Sequence, residues 1–130
     1  MTNFFNWCAG VEGAPEYQVA LYTQITDAGE TAPPLVTEPD FLGYRRFRTE
    51  AWRRKTTVLT YAEASSGLLT WVVEQPGIEN EVQGLCVLEV AADGSEKVWD
   101  SFAFPATFTA TQGEALQIIV VANEATRILQ

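Results

Sequence analysis

Hydrophobic and polar positions along this chain fall into short β-prone runs separated by turn residues, the pattern of successive β-strands. Tyr17–Thr23 (YQVALYT) is the first run, and Tyr44–Thr49 reads as a strand after a long connection. The alternation there sets Tyr44, Arg46 and Arg48 on one face and Arg45, Phe47 and Thr49 on the other. Thr56–Ala62 and Leu68–Gln75 follow, joined by a Ser65-Ser66-Gly67 turn and ended by Pro76-Gly77. Val82–Ala91 is the most apolar stretch and is expected to be a central strand. Asp93-Gly94 predicts a hairpin whose turn positions both accept positive φ. Beyond it, Glu96–Phe104 sets Val98, Phe102 and Phe104 on one face. Pro105 interrupts, Thr107–Thr111 resumes, and Gln112-Gly113-Glu114 leads into a last strand, Ala115–Ala122.

Roughly eight strands so spaced predict an all-β fold, a single β-sandwich or jelly-roll-like domain. No long segment keeps a helical period. Phe4–Ala9 and Asn123–Leu129 are expected to form one or two helical turns each, the second capped by Asn123. The connection Gln24–Gly43, about twenty residues long, exceeds the usual loop, and loops of that length are commonly functional or disordered. Its Pro33-Pro34 pair cannot sit in a central strand, so the segment is expected to be extended and exposed.

Length adds one constraint: 130 residues make one domain, spanning 1–130 with an N-terminal arm over 1–16. Such a chain buries enough surface to fold without metal or disulfide. Cys8 and Cys86 form no metal or redox motif. Cys86, inside Leu85-Cys86-Val87-Leu88, reads as a core thiol in preference to half of a Cys8–Cys86 bridge. The N-terminus lacks the basic start of a secretory signal, and no apolar run approaches the ~20 residues of a membrane helix, so assembly in a cytoplasm is expected. Phe4, Phe5 and Trp7 are costly to leave in water. They either cover an end of the sandwich or dock on a neighbour, with intramolecular cover favoured.

Charge changes the functional picture more. The formal net charge is −9 with no His, so the usual general base is missing, and Ser-His-Asp and Cys-His arrangements are excluded within one chain. No phosphate loop, nucleophile elbow or zinc pair is present, and neither cofactor nor metal is expected. Asp93-Gly94 suits a tight turn better than a calcium loop. Glu74, Glu79 and Glu81 lie near one another in sequence, but solvated loops account for acids so placed, and an enzyme is not expected.

Six of the eight basic residues fall between Arg45 and Lys55. The bland reading of this strip is a charged edge strand that blocks unwanted pairing. The sharper one is a contact surface for an acidic partner, since Arg and Trp dominate binding hot spots. In that reading Arg46, Arg48, Arg53 and Arg54, with Lys55, meet carboxylates. Trp52 is the apolar anchor, flanked by Tyr44 and Phe41. In an acidic protein the strip also complements other copies, favouring a homo-oligomer. Nucleic acid and membranes are not expected as partners. A carbohydrate-binding module is the rival class, with Trp71, Trp99 and Tyr61, or Trp52, stacking on sugar rings.

One resemblance bears on these alternatives. Val19-Ala20-Leu21-Tyr22-Thr23 is followed by Asp27-Ala28-Gly29-Glu30-Thr31, then Gly43-Tyr44-Arg45-Arg46. A Gly-bearing strand at Val82–Val90 and an Ala-Asp-Gly hairpin come next, then Gln112-Gly113-Glu114-Ala115-Leu116. Over residues 17–120 the chain resembles small tailed-phage virion proteins often labelled tail-fibre proteins. The resemblance implies a sandwich-type, non-enzymatic structural component of a bacteriophage particle, present in many copies and located in the virion. A tail or baseplate accessory and a head decoration protein are both compatible with it. Partners would be other copies and other virion proteins.

Overall fold

A computed structural model describes residues 15–26, 35–49, 53–58 and 61–125, with 53–58, 61–64 and 122–125 described as backbone alone. These residues form nine strands and no helix: β1 (Glu16–Tyr22), β2 (Gln24–Thr26), β3 (Leu35–Thr37), β4 (Phe47–Arg48), β5 (Arg53–Val58), β6 (Tyr61–Val72), β7 (Glu81–Val90), β8 (Glu96–Thr109) and β9 (Ala115–Ala125). One sheet runs β4-β1-β7-β8, a second runs β5-β6-β9, and β2-β3 is a separate ribbon. All pairings are antiparallel. The fold is an all-β sandwich.

Between the two large sheets lies the main core. Tyr17, Val19 and Leu21 of β1 and Val82, Leu85 and Val87 of β7 meet Leu69 and Trp71 of β6, Val73 just beyond it, and Val120 of β9. The other faces of β1 and β7 are also covered. Ala20, Tyr22, Cys86 and Leu88 form a second cluster with Ile25 and Val36 of the ribbon and Val98 of β8. Burial on both faces is why the middle of β7, Leu85-Cys86-Val87-Leu88, is an unbroken apolar run. Tyr22 fits above β7 because Gly84 has no side chain: a Cβ there would collide with the Tyr22 hydroxyl and the Phe102 carbonyl. Cys86 is a free, buried thiol whose pKa is pushed up to about 12, chiefly by burial.

The expected β1 and β7 are in place, and several other expectations need correction. Gln24–Gly43 is not a bare exposed loop in its described part, since β2 and β3 pair there with Ile25 opposite Val36. Pro33 and Pro34 lie outside the described residues. Only Phe47 and Arg48 of Tyr44–Thr49 are strand, paired to Val19 and Gln18. The expected strand Thr56–Ala62 is divided between β5 and β6, with Val58 opposite Tyr61.

Ser65-Ser66-Gly67 is not a turn but a bulge inside β6, where the register with β9 shifts. Gly67 takes φ +70°, the left-handed residue such a bulge uses. The Ser66 hydroxyl accepts a 2.9 Å bond from Val120 N, standing in for a ladder bond. Pro105 does not break β8 either. It sits on an outer strand within a second register shift, between the pairs Gly84–Ala103 and Val82–Phe108, where proline's missing N–H is tolerated.

Between Val87 and Leu88 the β7–β8 register shifts once more. That extra residue reverses the alternation, so Val98 joins the outer cluster while Phe104 packs on the main core. At the β7–β8 turn Gly94 alone has positive φ. Gly94 N donates to Ala91 O at 2.9 Å and Ala91 N to Ser95 O at 2.8 Å. This is a three-residue connection in which a single left-handed glycine suffices. Asn123 caps no helix: β9 continues to Ala125, with Asn123 opposite Glu63. The expected turns at Phe4–Ala9 and the rest of Asn123–Leu129 lie outside the described residues, as does the N-terminal arm before Pro15.

Candidate interaction surface

The basic strip is split between the two sheets. Tyr44 to Thr49 runs along the β1 edge of the first sheet, and Arg53, Arg54 and Lys55 lie in β5, the outer strand of the second. Trp52 lies outside the described residues, and the structure gives only the backbone course of Arg53–Lys55. Their register is clear: Arg53 faces Ser65, Arg54 faces Ala64 and Lys55 faces Glu63.

In the first half, the arginines are met by the chain's own acids. Arg46 Nε and Nη2 donate to the two Glu38 carboxylate oxygens at 2.9 and 2.7 Å, the bidentate geometry that planar guanidinium favours. On its other side Arg46 bonds both oxygens of Glu96, and Nη1 donates to Gln18 Oε1 at 3.2 Å. The Tyr44 hydroxyl donates to Glu38 and accepts from Leu21 N at 3.3 Å. Arg48 pairs with Glu16 at 3.1 Å.

Burial pushes the Glu38 carboxyl up, but hydrogen bonds from Arg46 and Tyr44, with the Arg46 charge, hold it below its ordinary value. The Tyr44 hydroxyl is raised, first by burial and then by its bond to Glu38. Glu38 follows β3, Arg46 precedes β4 and Glu96 opens β8. The cluster therefore clasps three distant segments and ties the ribbon to the sandwich.

The aromatic neighbours are committed inward as well. Phe41 is 3% exposed, packs in the main core and meets Tyr44 edge-on at 5.7 Å. It cannot flank an anchor on the surface, because the chain here turns Phe41 into the core and Leu42 outward. Phe47 meets Trp71 edge-on at 4.9 Å, and Arg45 stacks over Phe47 at 4.5 Å. Trp71 is fully buried and donates Nε1–H to Arg45 O at 2.8 Å. It is a core residue and not a sugar platform. Trp99 packs edge-on against Tyr17 at 5.8 Å, and the Tyr61 side chain is outside the description. Of the candidate acids, Glu79 and Glu81 each accept a threonine hydroxyl bond, from Thr23 at 3.3 Å and Thr109 at 3.0 Å.

The surface that stands out was not singled out from the sequence. On the outer face of the β5-β6-β9 sheet, Leu68 and Ile119 are directly paired and each 59% exposed. Val121 is 47% exposed and Val72 46%. A groove of about 330 Å³ opens between the β8 and β9 edges, lined by Leu85, Phe102, Phe104 and Ile118–Val121. Its lip, Phe102, is 49% exposed. Leu68, Ile119 and Val121 cluster on this face, with Val72 set apart by the Thr70–Gln117 pair, and clustered exposed apolar residues of this kind mark interaction sites. The signal for it is the failure of alternation in Leu68-Leu69 and Ile118-Ile119-Val120-Val121. A sheet with one wet face should place polar residues at every second position.

Comparison with known proteins returned no matching family model, no matching curated protein and no matching solved structure.

Proposed function

We propose that this chain is a non-enzymatic structural component of a bacteriophage virion, a multi-copy β-sandwich module that self-associates or docks on other particle proteins. The observation that carries the assembly reading is the apolar outer face of the β5-β6-β9 sheet, with Leu68, Val72, Ile119 and Val121 in water. Covering that face would return ~25 cal/mol per Å² of apolar area, against the cost of holding two bodies together. Arg53, Arg54 and Lys55 lie along β5, the other outer strand of the same sheet. An acidic partner, including another copy of a chain with net charge −9, complements them.

The virion setting rests on the resemblance of residues 17–120 to small tailed-phage proteins. Arg46 and Arg48 already have carboxylate partners within the chain, so contact with a partner is assigned to β5, β6 and β9. The test is to replace Leu68 and Val72 with Ser and Thr and to measure how much protein is retained in assembled particles. Strong loss from particles, with the purified variant still folded, is the expected result. Undiminished retention would sink the reading.

A further inference from the structure

We propose that the β2–β3 ribbon is an acid-released cover: below about pH 4 it lifts off the first sheet as a unit while the sandwich stays folded. Among the described residues β2 and β3 pair only with each other and with no strand of either large sheet. Each has three residues, of which the middle one alone, Ile25 or Val36, is half-buried. A two-stranded ribbon so short has little stability of its own. Its seat is also loose. A cleft of about 240 Å³ remains between ribbon and sheet, lined among others by Val36, Glu38, Arg46, Leu88, Glu96 and Val98. Beneath the ribbon lie Ala20, Tyr22, Cys86 and Leu88, all buried. Two aliphatic side chains hold it down, with the Thr23–Glu79 bond at 3.3 Å and the Glu38–Arg46–Glu96 clasp.

Acid acts on the clasp and not on the main core. Arg46 lies between the Glu38 and Glu96 carboxylates and stays charged at any pH. Protonating both leaves a largely buried guanidinium without a counter-ion, and moving it into water relieves that state. Glu38 is held below its ordinary value by its bonds from Arg46 and Tyr44 against the effect of burial. The clasp therefore persists to below about pH 4.5 and is lost as pH falls through the lower folded value. The charged groups around it act in the same direction. Glu16, joined to Arg46 through Gln18, pairs with Arg48 at 3.1 Å. Lys97 of the cleft wall pairs with Glu89 at 3.5 Å. Protonating Glu16 or Glu89 frees a further cation, and protonating Glu79 weakens its bond from Thr23. Tyr22, Tyr44 and Cys86 are raised and stay neutral in acid. Thr49 is the one buried polar or charged residue among the described residues, so acid finds no carboxylate to neutralise between the two large sheets.

Cys86 under the ribbon is the reporter. With Cys8→Ser it is the only thiol in the chain. Its labelling by 4,4′-dithiodipyridine is measured from about pH 6 down to pH 3 and divided by that of free cysteine at each pH, which removes the intrinsic pH dependence of the reaction. Circular dichroism on the same samples follows the sandwich. Relative labelling is expected to rise at least about tenfold while the sheet signal is unchanged. Glu38→Gln, which loses the charge and keeps the shape, should label faster than the parent at pH 6 and show a smaller rise in acid. Labelling that stays flat until the sheet signal collapses would overturn the proposal, because the ribbon would then open only with the whole molecule. A Glu38→Gln profile superimposable on the parent's would overturn it too. Should that variant fail to fold, the parent's own profile decides.

Discussion

At Arg46 and Arg48, two residues of one basic strip separate into different energetic classes. Arg46 makes bidentate bonds to Glu38 and Glu96, with about a quarter of its side chain exposed. Arg48 is 54% exposed at its ion pair with Glu16, and such pairs are worth little. Arg46→Ala is therefore expected to lower unfolding stability by about 1–3 kcal/mol, since it strands Glu38 and Tyr44. Arg48→Ala should lower it by less than about 1 kcal/mol. Urea midpoints at unchanged slope would check both. Glu38 gives the clasp a pH signature. Its folded pKa lies below the ordinary 4.5, so the unfolded chain takes up this proton first as pH falls. The contribution of Glu38 is full above about pH 4.5 and is lost as pH drops through the lower folded value. Thermal unfolding between about pH 5 and 3 should show a steeper loss in the parent than in Glu38→Gln. Gly84→Ala would force a methyl group against the Tyr22 hydroxyl and the Phe102 carbonyl. A loss of about 1–3 kcal/mol is expected in the same urea measurement.

Elements show where local chemistry informs and where it misleads. β1 and β7 are legible in the sequence because their apolar runs are long and they form the middle of a sheet. Ser65-Ser66-Gly67 has the composition of a turn, but the same residues serve a bulge, and only the pairing of β6 with β9 decides between them. Pro105 misleads for the same reason, since an outer strand with a register shift accepts proline. One bulge opposite Val87 and Leu88 was enough to move Val98 to the other face. No period-two reading anticipates that, because the extra residue is set by the partner strand. If the Ser66 hydroxyl replaces a ladder bond to Val120 N, Ser66→Ala should cost about 1 kcal/mol. Amide exchange at Val120 should quicken while that of β7 is unchanged. Val120 exchange unaltered by the substitution would contradict this role.

For the whole molecule, a net charge of −9 and the lack of any histidine are plain in the sequence. The contact surface was less legible. Clustered arginines make residues 45–55 the most conspicuous feature of the sequence, yet Arg46 and Arg48 meet the chain's own acids and Phe41 fills the core. That pairing joins residues as far apart as Glu38, Arg46 and Glu96, which no local pattern reveals. The outer face of β6 and β9 could have been found from Ile118–Val121, where alternation fails. Those residues pass for a buried strand until the sheet order places β9 at an edge. In the proposed assembly another polypeptide covers this face. Hydrogen–deuterium exchange on the isolated protein at dilution and on its assembled form tests it most directly. Slowed exchange is expected across Leu68–Val72 and Ala115–Val121, with the β2–β3 ribbon unchanged. Equal exchange at β6 and β9 in both states would contradict it.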